Sequence, residues 1–181
     1  MMGRKNRVSL ILALFAAVLT MMSCKDDDFL DDYSDTFDVY AQFQEDSVII
    51  TNYIEDNNLD AYEIDDWGVY ISFYHFGDND SLGQPTRDVD TSTTVQYVTV
   101  GYKGYFTDGT VFDETEAGET VSFALSNVIS GWQIAIPEMS VGDSATVLIP
   151  SYWAYGHYGY ATIPGDAVLL FDIYLESHER K

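Results

Sequence analysis

Basic residues are scarce in this chain: 8 Lys and Arg face 30 Asp and Glu, a formal net charge of -22 over 181 residues. A nucleic-acid-binding face needs enough cations to displace counterions from phosphates, so that class is excluded. A single cysteine excludes a disulfide framework and any thiolate metal cluster. The three histidines, His75, His157 and His178, are scattered with no partner at ligand spacing, and no metal is expected. There is no nucleophile elbow, phosphate-cradling glycine loop or paired-cysteine motif, so nothing supports conventional acid–base or covalent chemistry and no cofactor is expected. The N-terminal apolar run, Val8 to Val18, falls short of the roughly 20 residues a membrane helix needs. What is present is a large apolar share, 46%, with 15% aromatics, enough to bury a core in one ordinary domain plus an appendage.

The first residues divide into recognisable pieces. Arg4, Lys5 and Arg7 precede the apolar run, and the small Ser23 precedes Cys24, the only cysteine. This is the layout of an export signal, and its end resembles the lipobox of bacterial lipoproteins, with Met21 where Leu is usual. The resemblance implies removal of residues 1–23 and lipid on Cys24, giving a membrane anchor at the bacterial cell envelope; an ordinary secretory signal with an incidental cysteine is the alternative. Residues 24–35 form an acidic spacer too polar to fold alone. Its Lys25-Asp26 start also resembles the surface-export signal of Bacteroidetes lipoproteins, while a plain charged spacer would serve as well.

A helical segment is expected over residues 36–66, where Phe37, Tyr40, Phe43, Val48, Tyr53 and Ile54 recur at helical spacing and acids fill the other faces. Asn57 and Asn58 are expected to end it. From residue 67 to 181 the period changes to two. Strands are expected at Val69–Tyr74, Thr94–Phe106, Val111–Phe112, Thr120–Leu125, Ser144–Ile149 and Ala167–Leu175, with one short helix at Gly131–Met139 that Pro137 helps to end. Asp108-Gly109 predicts a tight hairpin with positive φ at both residues. The loop after Phe76 faintly suggests calcium through Asp78, Asp80 and Gly83, but Leu82 and Val89 stand where oxygen ligands belong. The fold class is α+β: a small antiparallel sheet with a short helix packed on it.

The stretch from Val98 to Leu175 carries Tyr102 with Gly104, then DGTVFD, VISGW, MSVG, WAYG, IPGDA and LLFDIYL, in that order. Together these are similar to an FKBP-type peptidyl-prolyl cis–trans isomerase domain. The resemblance implies an antiparallel half-barrel wrapped around the short helix, acting on proline-containing polypeptides. It implies a pocket floored by Trp132 beside Val128, walled by Tyr102, Phe112, Phe171 and Ile163, with the Ile129 N–H offered to the substrate carbonyl. Tyr155 would place a hydroxyl at the rim and Asp113 a carboxylate beside the prolyl amide.

Two departures bear on the site. Val121 stands where the family usually has a pocket Phe, and Tyr160 falls near a family His in a loop one residue shorter than in some members. They leave a second reading open, a proline-peptide-binding or chaperone-like lipoprotein with little turnover. The N-terminal helix has two uses consistent with its sequence: packing on its own domain, or pairing with a second copy as in dimeric relatives.

Overall fold

A computed structural model describes residues 37–77 and 96–180. The export signal, Cys24, the acidic spacer and the suspected calcium loop lie outside these residues. The order of elements is helix α1 (Val39–Asp56), strands β1 (Tyr62–Glu63), β2 (Tyr70–His75), β3 (Gln96–Tyr105), β4 (Val111–Glu114) and β5 (Val121–Ala124), helix α2 (Ser130–Ala135), then β6 (Ser144–Ile149) and β7 (Leu169–Arg180). One antiparallel sheet runs β1-β2-β6-β7-β3-β4, with β5 also paired to β3. This is the expected α+β architecture.

Helix α1 starts where Asp38 Oδ1 accepts from the N–H groups of Tyr40 and Ala41, both at 3.0 Å. That satisfies two of the donors a helix start leaves orphaned. It ends at Asn57, with Asn58 in the left-handed region at φ 52° as expected. Its packing face differs from the expected stripe. Tyr40 is 74% exposed and Val48 59%, while Asp46 and Ile50 are buried and Phe43, Tyr53 and Ile54 half-buried. Counting apolar residues finds the wrong meridian, because the true one contains an acid. The helix lies on its own sheet, where Ile50 packs with Leu148, Val168 and Leu170; Tyr40, Val48 and Ile49 are left facing outward.

The other face of the sheet carries the main core. Val98 and Val100 of β3, Ala145, Val147 and Ile149 of β6, and Leu169, Phe171, Ile173 and Leu175 of β7 pack around α2 through Trp132 and Ala135. With apolar cover on both faces, all six residues of β6 are buried. This explains why TVLI reads as an apolar run and not as an alternating one. Helix α2 is shorter than expected, giving way at Ala135 to a 3-10 turn, Ile136–Glu138, that accommodates Pro137. Strand β7 is longer than expected, continuing past Leu175 because the ten-residue β3 offers it partners as far as Gln96.

The β3–β4 hairpin also differs from its expectation. Gly109, at φ 84°, has positive φ and Asp108 does not. The Gly109 N–H donates to the Phe106 carbonyl at 2.9 Å, and the Phe106 N–H to the Thr110 carbonyl at 3.0 Å. The connection is thus a three-residue loop closed by a left-handed glycine, the next most common hairpin geometry. Asp108 steadies it by accepting from the Thr110 N–H at 2.8 Å.

Candidate active site

The site is assembled where β3, β4, β5 and β7 meet the start of α2. A register shift between Gly104 and Tyr105 leaves Phe112 as the extra residue of β4 and sets Asp113 opposite Gly104. Bulges of this kind re-aim side chains. Here the result is that Asp113 meets Tyr102, whose hydroxyl donates to Asp113 Oδ2 at 2.5 Å. At the other side, Ile129 caps α2 with extended backbone, and its carbonyl accepts from the N–H groups of Trp132 and Gln133 at 3.0 and 3.3 Å. Gln133 Nε2 donates back to the Val128 carbonyl at 2.8 Å, which fixes the chain entering the helix. The Ile129 N–H itself has no acceptor among the described residues.

Trp132, only 4% exposed, is caged by rings that meet it edge-on. Tyr102 and Phe171 lie at centroid distances of 5.3 Å with interplanar angles of 81° and 87°. Phe123 lies at 6.1 Å and 83°. These T-shaped contacts suit the quadrupoles of aromatic rings and hold each at a fixed angle. The indole N–H is buried without a partner among the described residues.

The cleft over this cage has a volume of about 380 Å3. Eight of the residues expected from sequence line it: Tyr102, Asp113, Val128, Ile129, Trp132, Tyr155, Tyr160 and Phe171. Tyr155 and Tyr160 stack at 5.3 Å and form one rim. Three expected residues are not among the lining ones. Phe112 stands behind the wall, edge-on to Phe171 at 5.6 Å. Ile163 is buried, its backbone exchanging hydrogen bonds of 2.8 and 2.9 Å with Tyr160. Val121 sits two residues before Phe123 on β5, a step of about 6.6 Å at strand rise, too far for a short side chain to span.

Two lining residues escaped the sequence reading, Phe123 and Asn127. Phe123 has the alternation of an ordinary core residue, so nothing local separates wall from core. Asn127 belongs to a 3-10 turn, Leu125–Asn127, and carried no signal. Phe123 thus puts an aromatic ring in the lining two residues after Val121.

Gly104 is required by this packing. A Cβ there would lie 2.6 and 2.7 Å from Phe112 ring atoms and 2.8 Å from the Phe171 ring. Gly104→Ala is therefore expected to cost about 1–3 kcal/mol in urea unfolding, the usual range for overpacking, and to disturb the cleft wall by displacing Phe171.

Two tyrosine hydroxyls of the site, those of Tyr102 and Tyr155, are held neutral. That of Tyr102 is pushed well above its ordinary value of 10.0, first by burial, then by its hydrogen bond to Asp113 and the charge there. Tyr155 is raised as well, first by burial, then by Tyr160 and Asp113. Tyr105, behind the sheet, is raised by burial and by Asp172. The unfolded chain releases these protons at a lower pH than the folded one. Their contribution to stability is therefore complete below about pH 10 and is lost as pH rises beyond it. Urea midpoints are expected to show no tyrosine-linked change at neutral pH and to fall above about pH 10.

A second cleft, of about 320 Å3, shares Tyr155 as a wall and lies between the chain at Phe37–Phe43 and the loop of Tyr152, His157 and Tyr158. Phe37 stacks on His157 at 4.0 Å, and His157 Nδ1 pairs with Asp166 Oδ2 at 2.9 Å. Among the described residues no three His, Cys, Asp or Glu side chains gather as a metal site, and no helix is long and apolar enough to cross a membrane.

Comparison with known proteins agrees with this geometry. The family model for FKBP-type peptidyl-prolyl cis-trans isomerase matches residues 89–176. A probable FKBP-type 25 kDa isomerase of Pseudomonas aeruginosa is 41% identical over 107 residues, 59% of this chain and 42% of that protein, so the chain spans less than half of it. FK506-binding protein 1A of Aspergillus fumigatus is 34% identical over 99 residues, 52% of this chain and 88% of that one. The crystal structure of a peptidyl-prolyl cis-trans isomerase from Pseudomonas syringae superposes with a TM-score of 0.60 at 25% identity, covering 79% of this chain and 97% of that one. With a relative matched over nearly its whole length and the family model over the strands that build the cleft, this chain belongs to the FKBP-type peptidyl-prolyl cis-trans isomerase family.

Proposed function

We propose that the chain catalyses cis–trans isomerisation of X–Pro bonds in exported polypeptides, from a lipid anchor at Cys24 in the bacterial cell envelope. The observation that carries the catalytic reading is the cleft itself: a caged indole floor, aromatic walls, a free N–H at Ile129 and a carboxylate at Asp113 held by Tyr102. Rotation about a prolyl amide meets a barrier of roughly 20 kcal/mol because resonance must be broken. A prolyl ring seated on Trp132 leaves solvent, while the Ile129 N–H is free to donate to the preceding carbonyl. Twisting withdraws the nitrogen lone pair from the carbonyl, whose carbon becomes electron-poor, a polarity that the nearby Asp113 carboxylate favours. Groups fixed in advance and better matched to the twisted than to either planar form lower the barrier without a covalent step. A thousandfold acceleration requires only about 4 kcal/mol of such preference.

The Phe123 wall gives the cleft an aromatic side despite Val121, which favours turnover over a binder with little of it. The decisive measurement is isomerisation of a proline peptide by the folded protein. Acceleration over the uncatalysed rate supports the reading, and peptide binding without acceleration would replace it by the binding one. The anchor rests on the lipobox-like segment and on an acidic stretch, residues 24–66, in which fifteen acids face only Lys25, a charge that holds the domain off anionic lipid. Cys24→Ser is expected to move the protein from the membrane fraction to the soluble one, and unchanged partition would sink the anchor.

A further inference from the structure

Helix α1 carries one acid unlike its neighbours. Asp38, Glu45, Glu55 and Asp56 are exposed, but Asp46 is 0% exposed. A carboxylate is buried at high cost unless donors surround it, and here there are three. Gln42 Nε2 donates to Oδ1 at 2.9 Å, and Ser151 donates to Oδ2 through its N–H at 2.8 Å and its hydroxyl at 2.6 Å. Ser151 opens a 3-10 turn, Ser151–Trp153, preceded by Pro150, which has no side chain able to cap it. Asp46 supplies that cap from across the molecule.

The turn leads directly to the rim of the cleft. The Ser151 carbonyl accepts from the N–H groups of Ala154 at 3.0 Å and Gly156 at 2.8 Å, the two residues that flank Tyr155. Phe37, in the chain just ahead of α1, stacks on His157 and holds the same loop beyond Tyr155. We infer that Asp46 is a positioning residue for Tyr155: through Ser151, the N-terminal helix sets the rim of the proline cleft. The helix is thereby part of the working site and not only an appendage. The inference rests on the isomerase reading, and its test has an arm that does not.

The test uses the full chain. Asp46→Ala is expected to lower kcat/KM for a proline peptide by about tenfold, the scale of a small misplacement at a distance. Asp46→Asn keeps an oxygen for both Ser151 donors, with its amide turned to Gln42, and is expected to restore activity to within about threefold of the native protein. In a Tyr155→Ala background, Asp46→Ala is expected to change kcat/KM by less than about twofold, since the residue it positions is gone. Equal losses in both backgrounds, or no loss in either, would overturn the inference. Amide hydrogen exchange gives the independent arm. Asp46→Ala should speed exchange at Ala154 and Gly156 while leaving β3 and β7 as they are. Uniformly faster exchange overturns the claim, and native exchange at the two loop amides does so as well. If the native protein proves inactive, the isomerase reading fails, and the exchange result still decides whether Asp46 holds the loop. Should Asp46→Ala fail to fold, Ser151→Ala, which loses the hydroxyl alone, is expected to give a smaller effect in the same direction.

Discussion

Trp132→Leu is expected to lower kcat/KM for a proline peptide by about 10–100-fold while the protein stays folded. The ring cage sets this magnitude. Edge-on aromatic pairs contribute about 0.5–1.5 kcal/mol each beyond their burial, and Trp132 makes three of them, with Tyr102, Phe123 and Phe171. Without the indole, those rings lose the surface that orients them, and the prolyl ring loses its floor. A loss of about 1.5–3 kcal/mol in the bound twisted state corresponds to the stated range of rates. Leucine is the informative replacement, because alanine at so buried a ring would cost about 3–5 kcal/mol of stability. That is a large part of what a domain of this size has. Stopped-flow isomerisation with parallel urea unfolding separates the two effects. A native rate in a folded Trp132→Leu protein would remove the indole from the mechanism.

Asp113→Ala is expected to lower kcat/KM by about tenfold with stability changed by less than about 0.5 kcal/mol, the usual margin for an exposed position. Two contributions are lost together, the negative charge at the cleft and the acceptor for the Tyr102 hydroxyl. Asp113→Asn separates them, for it keeps an acceptor and discards the charge. If the charge matters most, asparagine will resemble alanine; if orientation of Tyr102 matters most, asparagine will resemble the native protein. A partner variant, Tyr102→Phe, keeps the ring against Trp132 and removes only the hydroxyl. An unchanged rate in Asp113→Ala would leave the cleft acting through its rings and the Ile129 N–H alone.

What could be seen in the sequence was local or ordered along the chain. Alternation in Val69, Ile71 and Phe73 marks β2 because every second side chain of a strand points to one face, here the face packed on the main core. The motifs from Tyr102 to Phe171 mark the cleft because each is a short segment whose neighbours are fixed by its own turn or strand. What was hidden depended on distance. Asp46 sits among exposed acids and looks like one of them; its partner Ser151 lies 105 residues away. Phe123 looks the same in sequence whether its ring fills the core or walls the cleft. The polar tail Glu176–Arg180 has no apolar rhythm of its own, and is a strand because β3 is there to pair with it. The β3–β4 turn shows a subtler limit: Asp-Gly serves more than one hairpin loop, and the choice between them lies in which hydrogen bonds close.

The unequal strand lengths have a bearing on solubility. A protein proposed to handle unfolded polypeptides cannot afford a long row of unpaired backbone groups, since a client in extended form could add itself to the sheet. The longest strands, β3 and β7, are interior, and the outermost positions are taken by β1, β4 and β5, of two to four residues. Among the described residues, the longest open flank is the end of β7 past Leu175, whose N–H and carbonyl are still taken by Asp143 and Gly142. Its sequence from residue 176 is Glu-Ser-His-Glu-Arg, and charged groups in such a row disfavour docking by another strand. The segment that extends the sheet beyond the half-barrel thus carries its own deterrent against annealing to the chains the cleft would receive.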